Sequence, residues 1–165
     1  MYFNRFLPET RITKGESPLT FKIIAMIVAL ISGISMAVQG ALNTVLGKFI
    51  GILETTFIVH IVGTVVVALG LFVLKLGAGG FENIPRAPWY AFIGGIFGVI
   101  IVYSVVFSIS RLGVALATTI IITGQITTAV LIDHFGLFGL DKICFSWIKV
   151  LGIVFLSLGV KLMLS

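Results

Sequence analysis

Residues Arg111–Gly139 read RLGVALATTIIITGQITTAVLIDHFGLFG. Within them the twenty residues Gly113–Ile132 carry no formal charge and run up to Asp133-His134. At ~1.5 Å per residue such a segment crosses the ~30 Å hydrocarbon core of a bilayer as one helix. An ordinary anchor would be filled with Leu and Val. This one holds Thr118, Thr119, Thr123, Gln125, Thr127 and Thr128. Hydrocarbon does not reward such polarity, so part of the helix is expected to face protein or water. The stretch reads as a pathway or packing helix of a polytopic membrane protein.

The whole chain supports that reading. Of its 165 residues 59% are hydrophobic and only 10% charged, with a mean hydropathy of +1.23. A soluble core of this size cannot hide so much apolar surface. The net charge of +5 does not point to nucleic acid, because the basic residues sit at the ends of apolar runs, where lipid headgroups lie. Cys144 is the single cysteine. It allows no intrachain disulfide and no Cys/His metal pattern, and is expected to be apolar filler. No cofactor motif, nucleophile–base pair, metal cluster or phosphate loop is present, so an enzyme is not expected.

Residues 1–21 read as a polar N-terminal tail broken by Pro8, Gly15 and Pro18. Residues 22–165 read as a transmembrane domain of five helices, near 22–46, 54–74, 89–110, 113–132 and 146–164. The first changes character halfway. Ser32, Ser35, Gln39 and Asn43 share one face, while Gly33, Ala37 and Ala41 form a ridge of small residues on a neighbouring one. Gln39 and Asn43 either line a cavity or bond helices together. Glu54 opens the second helix, favourably for the helix dipole. His60 lies two turns further in, a lone imidazole at membrane depth that can titrate near neutral pH or rest as a neutral, hydrogen-bonded group. The link 75–88 is rich in Gly and Pro. Trp89 and Tyr90 follow it as interfacial aromatics. Gly94 and Gly98 offer close packing in the third helix, and Arg111 ends that helix as an anchor. Asp133 falls at a helix C-terminus, where the dipole disfavours a carboxylate, so it is expected either to find a partner or to be solvated. The last helix, with little but Leu, Val, Ile and two glycines, reads as packing or dimerisation surface.

Five helices place the two ends of the chain on opposite sides. Arg5, Arg11, Lys14, Lys22, Lys75, Arg86, Lys142 and Lys149 fall on one side, and Lys48, Arg111 and Lys161 on the other. The positive-inside rule then puts the N-terminus in the cytoplasm. Counting ~1.5 Å per residue from the inner boundary, Gln39 lies at ~25 Å, His60 at ~20 Å and Gln125 at ~12 Å. An inverted partner would lift Gln125 to ~18 Å, nearer the other two.

The segment SMAVQGALN, the Trp-Tyr pair opening the third helix and the segment LGVALATTIIITGQITTAVLIDHFGLFG resemble the YdcZ-like five-helix branch of the drug/metabolite transporter superfamily. The resemblance spans about Lys22 to Leu164. It implies an all-α inner-membrane protein that is half of a ten-helix inverted-repeat transporter. Such a half pairs with itself or with an inverted sister chain. The related small multidrug resistance proteins place a Glu in their first helix for proton exchange. No acidic residue stands in the first helix here, so that mechanism does not carry over.

The leading expectation is a transporter subunit moving a small organic solute by alternating access. Its cavity would be lined by Gln39, Asn43, His60 and Gln125, with His60 and Asp133 as coupling or ion-pairing groups. Packing would fall to Gly33, Ala37, Gly94 and Gly98. Expected partners are membrane lipid, a second chain and a small-molecule substrate. The rival is a non-transporting scaffold subunit, whose buried polar groups would serve only to hold helices together. A passive channel would need rings of ligands from several chains.

Overall fold

The computed structural model describes residues 18–77, 80–143 and 146–163. Cys144 and nearly all of the expected tail lie outside them. The described residues are helical, with no strand among them. The α-helices are α1 (Pro18–Ile50), α2 (Ile52–Ala68), α3 (Gly94–Leu112), α4 (Val114–Phe135) and α5 (Trp147–Met163). Among the described residues, four stretches are long and apolar enough to cross a membrane: Leu19–Ile50, Ile52–Val73, Trp89–Leu112 and Val114–Phe135. The fifth helix spans 17 residues.

The chain divides into two units, Met1–Val38 and Gln39–Ser165. In the first, the described residues are the N-terminal part of α1, with large apolar side chains exposed from Leu19 to Met36. In the second, α2 packs on α3, α3 on α4 and α4 on α5.

The helix ends differ from the expected ones for local reasons. The link expected over 47–53 is helical up to Ile50, and Gly51 alone breaks the chain before α2. Gly47, which reads as a loop signal, instead lies within α1 against Val106, where a methyl would sit 3.2 Å from Cγ1. Gly51 has φ 93° and ψ 160°, a region open only to glycine. Gly113, at φ 79° and ψ 165°, repeats the device between α3 and α4. At each junction the glycine N–H bonds to the carbonyl four residues back, Gly47 or Ile109. Its own carbonyl accepts from the amide four residues on, Thr55 or Ala117.

α2 runs on into a π-turn at Leu69–Val73. Trp89–Ile93 is a 3-10 turn ahead of α3, entered from the extended Pro88. α4 continues to Phe135, three residues past the expected end, and stops at Gly136 in the left-handed region.

The buried residues cluster near the glycine junctions. Val106, Ile109 and Ala117 are the buried apolar side chains, and Asn43, Thr44, Thr55 and Thr56 the buried polar ones. The hydroxyls are satisfied inside their own helices. Thr44 donates to Gly40 O at 2.8 Å, Thr55 to Gly51 O at 2.7 Å and Thr56 to Ile52 O at 2.9 Å. This is how a hydroxyl survives away from water. Most large apolar side chains are exposed, Phe49 and Leu53 among them, as suits helices whose solvent is lipid.

Candidate functional site

α2 positions His60 through its backbone. The ring Nδ1 lies 2.7 Å from the carbonyl oxygen of Thr56, one turn back. Its Nε2 points toward α3 at Gly98, where a methyl would lie 3.6 Å from it. Thr64, one turn further on, donates its hydroxyl to the His60 carbonyl at 2.8 Å. His60 and Thr64 open onto a groove of about 600 Å³, which Gln39 also lines. The rest of the lining is apolar: Val59 and Val67 from α2, Val102 from α3, then Leu71, Phe72 and Phe81. Among the described residues, no charged side chain takes part.

A second cavity of about 470 Å³ shares Leu71, Phe72 and Phe81 and adds Lys75. The rings of Phe72 and Phe81 stack at 6.2 Å and 10°. This aromatic pair borders both spaces.

Gln39 and His60 therefore meet at one groove. Asn43 does not join them; it is 8% exposed among the junction residues. Gln125 is exposed on α4 and is no part of the lining. Gln39, in contrast, does not lie at the expected depth. Gln125 lies twelve residues after Gly113, Gln39 twelve residues before Gly51 and His60 nine after it. At ~1.5 Å per residue these are ~18, ~18 and ~13 Å from their glycine turns. Across a ~30 Å core this is the expected ~12 Å from the inner boundary for Gln125, and Gln39 comes to the same level, so depth alone does not call for an inverted partner.

The threonines of α4 need less than their number suggests. Thr119, Thr123 and Thr127 each donate to the carbonyl four residues back, at 2.8, 2.9 and 2.8 Å. These three do not require a wet surface, and among the described residues 118–128 Gln125 is the largest polar side chain without such a bond. Asp133 lies in the last turn of α4, not at its end, and its backbone carbonyl accepts from Ile143 N at 2.9 Å. Among the described residues its carboxylate makes no hydrogen bond or ion pair. Arg111 is exposed and lies over the Phe107 ring at 5.6 Å, a cation on an aromatic face as an interfacial anchor would be.

Of the expected packing residues, Gly98 faces His60, whereas a methyl at Gly33 or Gly94 would meet nothing within 4 Å. Ala37 is half-buried. The close approach falls instead at Gly40, where a methyl would lie 2.8 Å from Ile109 Cδ1 and 3.0 Å from Val105 Cγ1. A sequence signal for it exists. Gly33, Ala37, Gly40, Thr44 and Gly47 recur at spacings of 4, 3, 4 and 3, the alternation that holds one helix face. Phe72 and Phe81 carry no such signal, since one ends a span and the other lies in a Gly-rich link.

Membrane-spanning helices that leave an apolar groove floored by a carboxamide and an imidazole define a polytopic membrane protein built to handle solutes. Residues 24–162 match the family model described as "Putative inner membrane exporter, YdcZ". The chain belongs to that family, a branch of the drug/metabolite transporters, and is a membrane-embedded transport protein. Comparison with curated proteins and with solved structures gave no significant match.

Proposed function

We propose that the chain is one subunit of an inner-membrane carrier exporting a small, largely apolar organic solute, with the groove between Gln39 and His60 as its cargo site. The observation that carries this reading is the groove itself: about 600 Å³, within the range of small-molecule sites, with few polar groups set in apolar walls. In the scaffold reading these polar groups would bond helix to helix. Here the His60 Nδ1 bonds to its own helix, and Gln39 is exposed at the groove.

The working unit would be a dimer that alternates access between the two membrane faces, with all five helices crossing and the N-terminus in the cytoplasm. Gln125 supports pairing. It is exposed near the middle of the 22-residue α4, and a carboxamide facing hydrocarbon is costly unless another chain covers it. An odd number of crossings supports an inverted pair, since a duplicated unit then re-enters the membrane the other way up.

The test is a thermal-shift screen of metabolites on the purified protein, followed by uptake into vesicles. A carrier gives saturable flux of a stabilising compound, and Gln39→Ala removes both the shift and the flux while leaving folding intact. Flux that never saturates, or a hit indifferent to both Gln39 and His60, would remove the groove from the mechanism.

A further inference from the structure

The single hydrogen bond of the His60 ring fixes which nitrogen carries its proton. A carbonyl oxygen only accepts. With Nδ1 at 2.7 Å from Thr56 O, the contact is a bond only when Nδ1 is the donor. A neutral imidazole has one N–H, so the proton is on Nδ1 and Nε2 keeps its lone pair. Thr64 points the same way. Its hydroxyl proton is committed to the His60 carbonyl, which leaves oxygen lone pairs for anything in the groove. The Gln39 carboxamide supplies both donor and acceptor. Among the described residues, no carboxylate, ammonium or guanidinium lines this space.

We propose that His60 is held as the Nδ1–H tautomer, so that its Nε2 is a fixed hydrogen-bond acceptor, and that the groove selects uncharged compounds with an apolar body and at least one N–H or O–H group. An acceptor-only compound leaves Nε2 without a partner, and a buried acceptor without a donor is penalised. A permanent ion would lose its hydration with no counter-charge in the groove to replace it. This deepens the carrier reading and rests on it only for the word cargo; the ligand preference is a property of the groove.

The test uses the full chain in lipid nanodiscs at neutral pH, labelled with ¹⁵N-histidine, the His60 signals being assigned by their loss in His60→Asn. The expected spectrum has a protonated Nδ1 and an unprotonated Nε2. A proton on Nε2, in either the other tautomer or the imidazolium, overturns the proposal. The ligand arm compares indole with benzofuran, which has nearly the same shape but an ether oxygen in place of the N–H. Indole is expected to bind about three- to tenfold tighter, the worth of one hydrogen bond, and to shift the Nε2 resonance. Equal binding, a preference for benzofuran, or no binding of either overturns the proposal. Neither readout needs a gradient. Failure to transport any solute would sink the carrier reading and leave both measurements standing, whereas saturable transport with a protonated Nε2 would sink this inference alone.

Discussion

At Gly40 a single hydrogen atom separates a fitted contact from a clash. A methyl there would lie 2.8 Å from Ile109 Cδ1 and 3.0 Å from Val105 Cγ1. Ile109 is buried and Val105 is β-branched, so neither yields freely. Gly40→Ala is expected to destabilise the protein by about 1–3 kcal/mol, the usual cost of overpacking. Gly33→Ala, on the same helix with no atom within 4 Å of the added methyl, should be neutral or stabilising by up to about 1 kcal/mol, because alanine loses less backbone entropy in a helix. Unfolding by SDS in mixed micelles, followed by the helical signal, measures both; equal effects would remove Gly40 from the packing account. The sequence shows the small residues of α1 but misplaces the contact. A ridge read at a fixed step of four residues runs Gly33, Ala37, Ala41 and turns about 40° at each step. Alternating steps of four and three stay on the buried face, through Gly40 and Thr44. Gln39 and His60 are legible for a simpler reason: a carboxamide and an imidazole inside apolar runs stand out whatever the packing. Phe72 and Phe81 are not legible, because aromatic residues are ordinary in membrane chains and their stacking depends on how the link returns.

The helix junctions are where local chemistry shapes the elements. Gly51 and Gly113 each break the helix within one residue, at φ values of 93° and 79° with extended ψ. Gly113→Ala is expected to cost about 1–3 kcal/mol, since a Cβ is strained there whatever the space around it. Gly124→Ala, within α4 and with no atom near the added methyl, should be neutral or mildly stabilising. The same denaturation experiment separates the two, and an undisturbed Gly113→Ala would mean that the junction relaxes into another turn. Along α4 the polar residues divide into two kinds. The Thr123 hydroxyl is bonded to Thr119 O, so Thr123→Val removes donor and need together and should change stability by less than about 1 kcal/mol. Gln125 has no such internal partner among the described residues, and is exposed. Gln125→Leu should leave the monomer folded and weaken association between chains by about 1 kcal/mol, the scale of one polar contact between membrane helices. Energy transfer between labelled chains in liposomes, diluted with lipid, reads that loss. An unchanged dimer would show that α4 is no part of the interface.

For the whole molecule the decisive quantity is the parity of its crossings. Four stretches are long and apolar enough to span, and four crossings would return the chain to the side on which it began. The number turns on α5. Its 17 residues rise ~25 Å, a few ångströms short of a ~30 Å core. Mismatch of that size is met by local thinning and by snorkelling flanks. α5 has those flanks: Trp147 and Lys149 near its start and Lys161 near its end, an aromatic and two long cations suited to the two interfaces. If α5 crosses, the crossings number five, the odd count at which a duplicated unit re-enters the membrane the other way up. With the N-terminus in the cytoplasm, as the positive-inside rule predicts, five crossings would place the turn after α4, with Lys142, in the cytoplasm and the end of α5 on the outer side. Alkaline phosphatase, active only outside, and green fluorescent protein, which folds only inside when exported unfolded, report the two positions. Fusions after Gly139 should fluoresce and lack phosphatase activity, and fusions after Ser165 should do the reverse. Fluorescence at both positions would leave α5 lying along the surface, make the crossings even, and remove the parity argument for an inverted repeat while leaving the groove of Gln39 and His60 intact.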